Sequence, residues 1–295
     1  MARLPRFLIP DRPTTYHVIS RTALDGFPLK ETEKEDLLRT IKSLSQVYFC
    51  QVLGFAILGN HFHLLVRMRP EDDVADQEVL DSFHRRYGQD RSLLPGQIPF
   101  YRHKWASLSE YVKEIKQTFS RSYNQRRGRK GTFWAERFTS LIVEKGETLV
   151  NCLAYIDLNP VRAGLVKRPE DYRWSSLGYR FRTSRQDPFL SFDLGVPAYS
   201  QVDPAERLRM YREFVYARGG LETGKGARLT AQLLPETVER FIQRTRFFTQ
   251  AGVIGSRAFV REHFERFRDL IQPKRERRPH RIKGLSEIYS LKRLS

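Results

Sequence analysis

Two kinds of hydrophobic spacing alternate along the first half of this chain. Period-two runs, the mark of strands, cover residues 15–22, 48–58, 61–68 and 137–144, and three-to-four spacing, the mark of helices, covers 32–47, 108–126 and 147–158. Leu58-Gly59-Asn60 reads as a hairpin turn between the second and third strands, which makes those neighbours antiparallel. The alternation predicts an α+β fold: an antiparallel sheet with flanking helices. After Pro188 only helix-like segments remain, at 204–217, 235–248 and 256–271, with Ser256 placed as an N-cap. The pattern changes after Trp174-Ser175-Ser176, so the chain is divided into residues 1–188, a helical accessory region 189–272 that is a possible DNA-binding unit, and a basic tail 273–295.

The third strand carries candidate chemistry. In His61-Phe62-His63-Leu64-Leu65-Val66, alternation sets His61, His63, Leu65 and Arg67 on one face and Phe62, Leu64 and Val66 on the other. A sheet packed on one side would leave the histidine face open. Two imidazoles accept Mg²⁺, Mn²⁺ or Zn²⁺ only with help from oxygen donors, so a third ligand is needed. The helix at 147–158 offers one. At about 100° per residue, Leu149, Leu153 and Ile156 form a core stripe, while Thr148, Asn151, Tyr155 and Asn159 fall in a narrow arc roughly opposite. Tyr155 and Asn159 are one turn apart, and Pro160 is read as the helix end. A metal held by imidazoles and an amide oxygen beside a phenol is equipment for attacking a phosphodiester without water. His17, on the first strand, is read as structural, and His84, His103, His263 and His280 have no paired ligand in sequence.

Charge points to a polyanionic partner. The 295-residue chain has 52 Lys+Arg against 34 Asp+Glu, a formal net charge of +18, which favours nucleic acid. A long apolar span and a signal-peptide core are both missing from the sequence, so a cytoplasmic protein without membrane association is expected. The two cysteines, Cys50 and Cys152, lie in apolar runs and are read as core residues. Lys113, Lys116, Arg121, Arg126, Arg127, Arg129 and Lys130 concentrate on and just after the helix at 108–126, the best candidate for gripping DNA. Tyr111, Phe119 and Tyr123 on the same helix serve either the core or base stacking, and Trp134 packs or stacks beside it. Gly219 to Gly226 comes close to a phosphate-binding loop, but Gly226 replaces the metal-binding hydroxyl and no strand precedes it, so it is read as a linker and no nucleotide cofactor is expected.

The stretches Tyr16-His17-Val18-Ile19-Ser20-Arg21, Gly59-Asn60-His61-Phe62-His63-Leu64-Leu65, residues 138–144, YIDLNPVRAGLV at 155–166 and Tyr172-Arg173-Trp174-Ser175-Ser176 together resemble the IS200-like single-tyrosine transposases. The resemblance is closest to the branch associated with repetitive extragenic palindromes (REP), and it spans roughly residues 10–180 in order. It implies a His-hydrophobic-His endonuclease on a ferredoxin-like antiparallel sheet, occupying residues 1–188. By the same resemblance His61 and His63 hold Mg²⁺ or Mn²⁺, Asn159 sits at the place of a third, amide-bearing ligand, and Tyr155 is the nucleophile. The implied reaction cleaves single-stranded DNA beside palindromes or hairpins to a 5′-phosphotyrosine and a free 3′-hydroxyl, with the protein acting as a monomer or a homodimer. Two departures stand out: Gly59 replaces a common proline before Asn-His-x-His, and Asn159 replaces a commoner glutamine. The competing readings are a non-catalytic DNA- or RNA-binding regulator built on the same sheet, and a nuclease in which His61 and His63 activate water.

Overall fold

The computed structural model describes residues 6–183, 187–219, 247–271, 279–282, 285 and 287–291. The elements run β1 (Thr14–Arg21), α1 (Glu31–Ser45), β2 (Cys50–Ile57), β3 (His61–Met68), α2 (Asp76–Tyr87), α3 (Ile98–Ala106), α4 (Leu108–Arg126), β4 (Thr139–Val143) and α5 (Glu147–Asp157). There follow α6 (Asn159–Arg162), α7 (Ser176–Arg182), α8 (Pro197–Ser200), α9 (Pro204–Gly219), α10 (Phe247–Gln250), β5 (Val253–Gly255), α11 (Arg257–Arg266), β6 (His280–Arg281) and β7 (Tyr289–Ser290). The result is a mixed α+β fold: one sheet of order β2-β3-β1-β4-β5-β7-β6 flanked by helices. Its first four strands are antiparallel neighbours, β1 lying between β3 and β4, which with α1 and α4 as the crossovers is the βαββαβ arrangement.

Strand alternation divides the interior in two. Tyr16, Val18, Phe62, Leu64 and Val66 pack with α1 and α4 on one side of the sheet, and Ala56, Leu65, Leu141 and Val143 pack with α5 on the other. Cys152 lies in the second core and Cys50 packs against the first. On α4, the Ser107 side chain accepts the Glu110 N–H and fixes the start of the helix where the sequence places it. Tyr111, Phe119 and Tyr123 are core residues rather than stacking surface. Trp134 also packs inward, its indole N–H donating to the Lys116 carbonyl at 3.0 Å.

Two glycines set the geometry around β3. A Cβ on Gly54, at a bulge in β2, would lie 2.1 Å from Leu153 Cδ1, so its absence lets α5 settle directly on the sheet. A Cβ on Gly59 would lie 2.6 Å from Phe27 Cδ1. The glycine before Asn60 therefore admits the Phe27 ring against the turn, while the Gly59 carbonyl accepts the Leu29 N–H at 2.9 Å.

Three expectations change. The region after Pro188 is not helical alone: α9 and α11 form, with Ser256 accepting the Phe259 N–H as N-cap, but β5, β7 and β6 extend the sheet, β5 pairing parallel to β4. These strands are two or three residues long, too short to carry a readable period. The histidine face is not open, because α5 and the segment around α10 cover it; α5 is consequently buried from Thr148 to Asp157, including the arc that reads as polar. Pro160 does not end the helical path but stands in the first turn of α6, after a break at Leu158. The loop at 220–226, most of the helix at 235–248, and residues 273–278 and 292–295 of the basic tail lie outside the described residues. No helix among those described is long and apolar enough to cross a membrane.

Candidate functional site

The sheet and α5 bring the histidine strand and the tyrosine together. The His61 and His63 ring centres are 5.1 Å apart, and the Tyr155 ring stands edge-on to His63 with centres 6.1 Å apart. His63 is 3% exposed and Tyr155 4%. Burial, with the neighbouring His17, His61, Arg162 and Arg21, holds the His63 pKa well below the usual imidazole value. His63 is thus neutral at physiological pH, the form a metal requires.

Three residues that the sequence reading did not place in the site join it. His17 Nε2 is 2.9 Å from His63 Nδ1, and His17 Nδ1 is 2.7 Å from the Phe248 carbonyl oxygen. Burial pushes the His17 pKa down to about 4. Phe248 also packs its ring on Tyr155, centres 4.8 Å apart. Arg162 sets its guanidinium carbon 4.2 Å from the centre of the Tyr155 ring and donates to the Tyr155 carbonyl at 2.7 Å. Burial lowers the Arg162 pKa to about 10, and it stays cationic at neutral pH.

Asn159 is the first residue of α6, and its Nδ2 donates to the Tyr155 carbonyl at 3.2 Å. That bond uses the amide N–H and keeps Oδ1 as the ligand-type atom. No cluster of three His, Cys, Asp or Glu side chains suited to a metal occurs among the described residues. Among the described residues, the donor set that the motif offers a cation is two imidazoles and an amide oxygen. The residues fit that role in one checkable respect: His63 engages His17 through Nδ1 and His61 engages Asn60 Oδ1 through Nδ1 at 2.7 Å, so the contact that orients each ring is made by Nδ1, and Nε2 is the ligand-type nitrogen.

The buried carboxylate of Asp157, two residues after Tyr155, anchors this helix end. It accepts from Ser176 Oγ at 2.7 Å and the Leu177 N–H at 2.9 Å through one oxygen, and from the Tyr211 hydroxyl at 2.7 Å through the other. One side chain thereby ties α5 to α7 and α9.

The basic helix is partly spoken for. Arg126 pairs with Asp36, Arg127 with Glu33 at 2.9 Å, Lys113 with Glu110 at 3.1 Å, and Arg129 donates to Asn124 and the Thr132 carbonyl. Lys113, Lys116 and Arg121 line a groove of about 690 Å³ together with Arg6, Trp134 and Arg137. Lys116 donates to the Glu136 carbonyl at 2.6 Å, and burial, with Arg6 nearby, lowers its pKa to about 8. Arg126, Arg127, Arg129 and Lys130 are not among the lining residues of this groove.

No known family model matches the chain. A Haemophilus influenzae protein provisionally named a REP-associated tyrosine transposase is 27% identical over 135 residues, covering 46% of this chain. The match spans 63% of that relative's own length. A solved structure of a REP-associated tyrosine transposase bound to a REP hairpin aligns with a TM-score of 0.44 at 17% identity, over 65% of this chain and 90% of that one. The chain is thus similar in sequence to a REP-associated tyrosine transposase.

Proposed function

We propose that this protein is a transposase of the single-tyrosine kind that cleaves and rejoins single-stranded DNA at palindromic or hairpin-associated sites through a 5′-phosphotyrosine intermediate. The observation that carries the reading is the meeting of Tyr155 with His63, ring centres 6.1 Å apart, from a helix and a strand that are remote in sequence. The name of the Haemophilus influenzae relative supports it.

In this reading the Tyr155 oxygen attacks the scissile phosphorus. A phosphorus–oxygen bond forms to the tyrosine as the bond to the 3′-oxygen breaks; the phenol gives up a proton and the leaving oxygen takes one up. A second 3′-hydroxyl reverses the step onto a new end, and the ester conserves the bond energy, so no nucleotide cofactor is required. His61, His63 and the Asn159 amide oxygen would hold a Mg²⁺ or Mn²⁺ ion, which when bound polarises a phosphate oxygen as a Lewis acid. Arg162 keeps positive charge against the ring whose oxygen becomes anionic. Packing by Phe248 and the α5–sheet contact fixes the ring position, and the low exposure of Tyr155 requires a local opening before a phosphate can reach it.

Cleavage of a labelled hairpin carrying single-stranded flanks tests the metal assignment. His61→Ala and His63→Ala are each expected to stop cleavage while DNA binding persists, and excess chelator is expected to do the same to the wild type. Undiminished cleavage in chelator would remove the metal from the reading. The groove beside α4 is proposed as a seat for DNA phosphates. For the Lys113→Ala/Arg121→Ala pair, hairpins of different sequence should all bind more weakly by a similar factor, and the slope of log affinity against log salt should fall by about 2. An unchanged slope would move the DNA elsewhere on the surface.

A further inference from the structure

We propose that His17 is a positioning residue that fixes the tautomer of His63, so that the Nε2 lone pair of His63 is committed to the metal. The inference deepens the reading just given and rests on the direction of a buried hydrogen-bond relay.

The direction follows from the end of the chain of bonds. A backbone carbonyl only accepts, so at 2.7 Å from Phe248 O the Nδ1 of His17 must carry the proton. His17 is wholly buried, and no carboxylate stands among its hydrogen-bond partners, so the neutral ring is favoured and its Nε2 is the acceptor. The contact 2.9 Å further on can then only be made by His63 donating Nδ1–H to His17 Nε2. With Nδ1 protonated on a neutral ring, Nε2 of His63 holds the lone pair. Left to itself, a neutral histidine favours the opposite tautomer, with the proton on Nε2, where it would block ligation. His17 therefore supplies something packing alone does not: an acceptor at the one place that reverses this preference.

The placement is built by the fold. In the β1–β3 register His17 stands opposite Leu65 and Ile19 opposite His63, which makes the two histidines diagonal neighbours on the face beneath α5. The carbonyl that orients His17 comes from α10, held near this face where β5 runs parallel to β4. The Phe248 carbonyl thus reaches His63 by way of His17.

The test uses the 295-residue chain, metal-free, with ¹⁵N-labelled histidine. Long-range ¹H–¹⁵N correlation spectra report which ring nitrogen carries the proton. The wild type is expected to show His63 protonated at Nδ1 and bare at Nε2. In His17→Leu the His63 proton is expected to move wholly or partly to Nε2, and Mn²⁺ affinity, followed by electron paramagnetic resonance, to fall by about 10- to 100-fold. His17→Gln, which offers an amide oxygen to His63 and an N–H to Phe248, should restore the Nδ1–H tautomer and most of the affinity. Its thermal melt and that of His17→Leu identify any loss of fold. The inference is overturned if the wild-type His63 carries its proton on Nε2, if His17→Leu leaves tautomer and affinity unchanged, or if folded His17→Gln binds Mn²⁺ as weakly as folded His17→Leu. Because the tautomer is read without DNA, a failure here is distinguishable from a failure of the nuclease reading.

Discussion

Replacing Tyr155 by phenylalanine is expected to abolish the covalent protein–DNA adduct and to reduce strand cleavage by about 10⁴-fold or more, while hairpin affinity stays within about twofold of the wild type. The substitution removes the oxygen that attacks phosphorus and keeps the ring. Phenylalanine keeps the ring between Phe248 and the Arg162 guanidinium, and the backbone carbonyl that accepts from Arg162 and Asn159 is unaffected. Denaturing gels of end-labelled hairpin DNA separate the alternatives. A nuclease using activated water would keep cutting and leave free 5′-phosphates, and a regulator would bind without cutting in either form. Normal adduct yield from the phenylalanine variant would overturn the assignment of the nucleophile.

Asp157→Ala is expected to cost about 3 kcal/mol or more of stability, and to lower the melting temperature by roughly 5–10 °C. The carboxylate satisfies the Tyr211 hydroxyl, the Leu177 N–H and the Ser176 hydroxyl inside the protein. Alanine strands the first two in the core, whereas Ser176 still has the Phe55 carbonyl at 3.3 Å. Asp157→Asn keeps an acceptor oxygen and is expected to cost clearly less. The two variants also differ in pH response. Burial, opposed by its hydrogen bonds, raises the Asp157 carboxyl from 3.8 to about 6, so the folded protein holds this proton more tightly than the unfolded chain. Its contribution is complete below the ordinary carboxyl range and is lost as pH rises through about 6. Asp157→Asn, which cannot ionise, should therefore gain on the wild type between pH 5 and pH 7 in melting experiments. A stability gap independent of pH would contradict the raised value, and a wild-type melting temperature for Asp157→Ala would show that the three donors find other partners.

The parts of this fold that were legible in the sequence are those with long, regular periods. β3 and α4 begin and end where alternation and helical spacing place them, and β1, α1, β2, β4 and α5 differ from their expected bounds by one or two residues at most ends. α2 and α3 were not anticipated. α2 buries only Val79, Ser82 and Phe83, a short apolar stripe in an otherwise polar run, and α3 carries Pro99 as its second residue. The strands β5 to β7 take their form from pairing with β4 and each other, which no local pattern announces.

The site divides in the same way. His61, His63, Tyr155 and Asn159 stand out because their spacing is local and matches a known motif. His17 reads as an ordinary strand residue until the register of β1 against β3 shows it beside His63. Phe248 enters from the far end of the chain, and Arg162 looks like one more surface cation until α6 folds it over the tyrosine. Arg126 and Arg127 illustrate the reverse error: they read as open positive charge, yet Asp36 and Glu33 of α1 sit against them, a neutralisation that only tertiary packing reveals.

Peptide mapping of the reaction product tests the central claim most directly. The wild-type protein would be incubated with a flanked hairpin DNA and Mg²⁺ or Mn²⁺, digested with trypsin and nuclease, and the nucleotide-bearing peptide sequenced by mass spectrometry. The account predicts a nucleotide joined through its 5′-phosphate to Tyr155, with an equal amount of DNA ending in a 3′-hydroxyl. Cleaved DNA with a free 5′-phosphate and unmodified Tyr155, or attachment to any other residue, would contradict it.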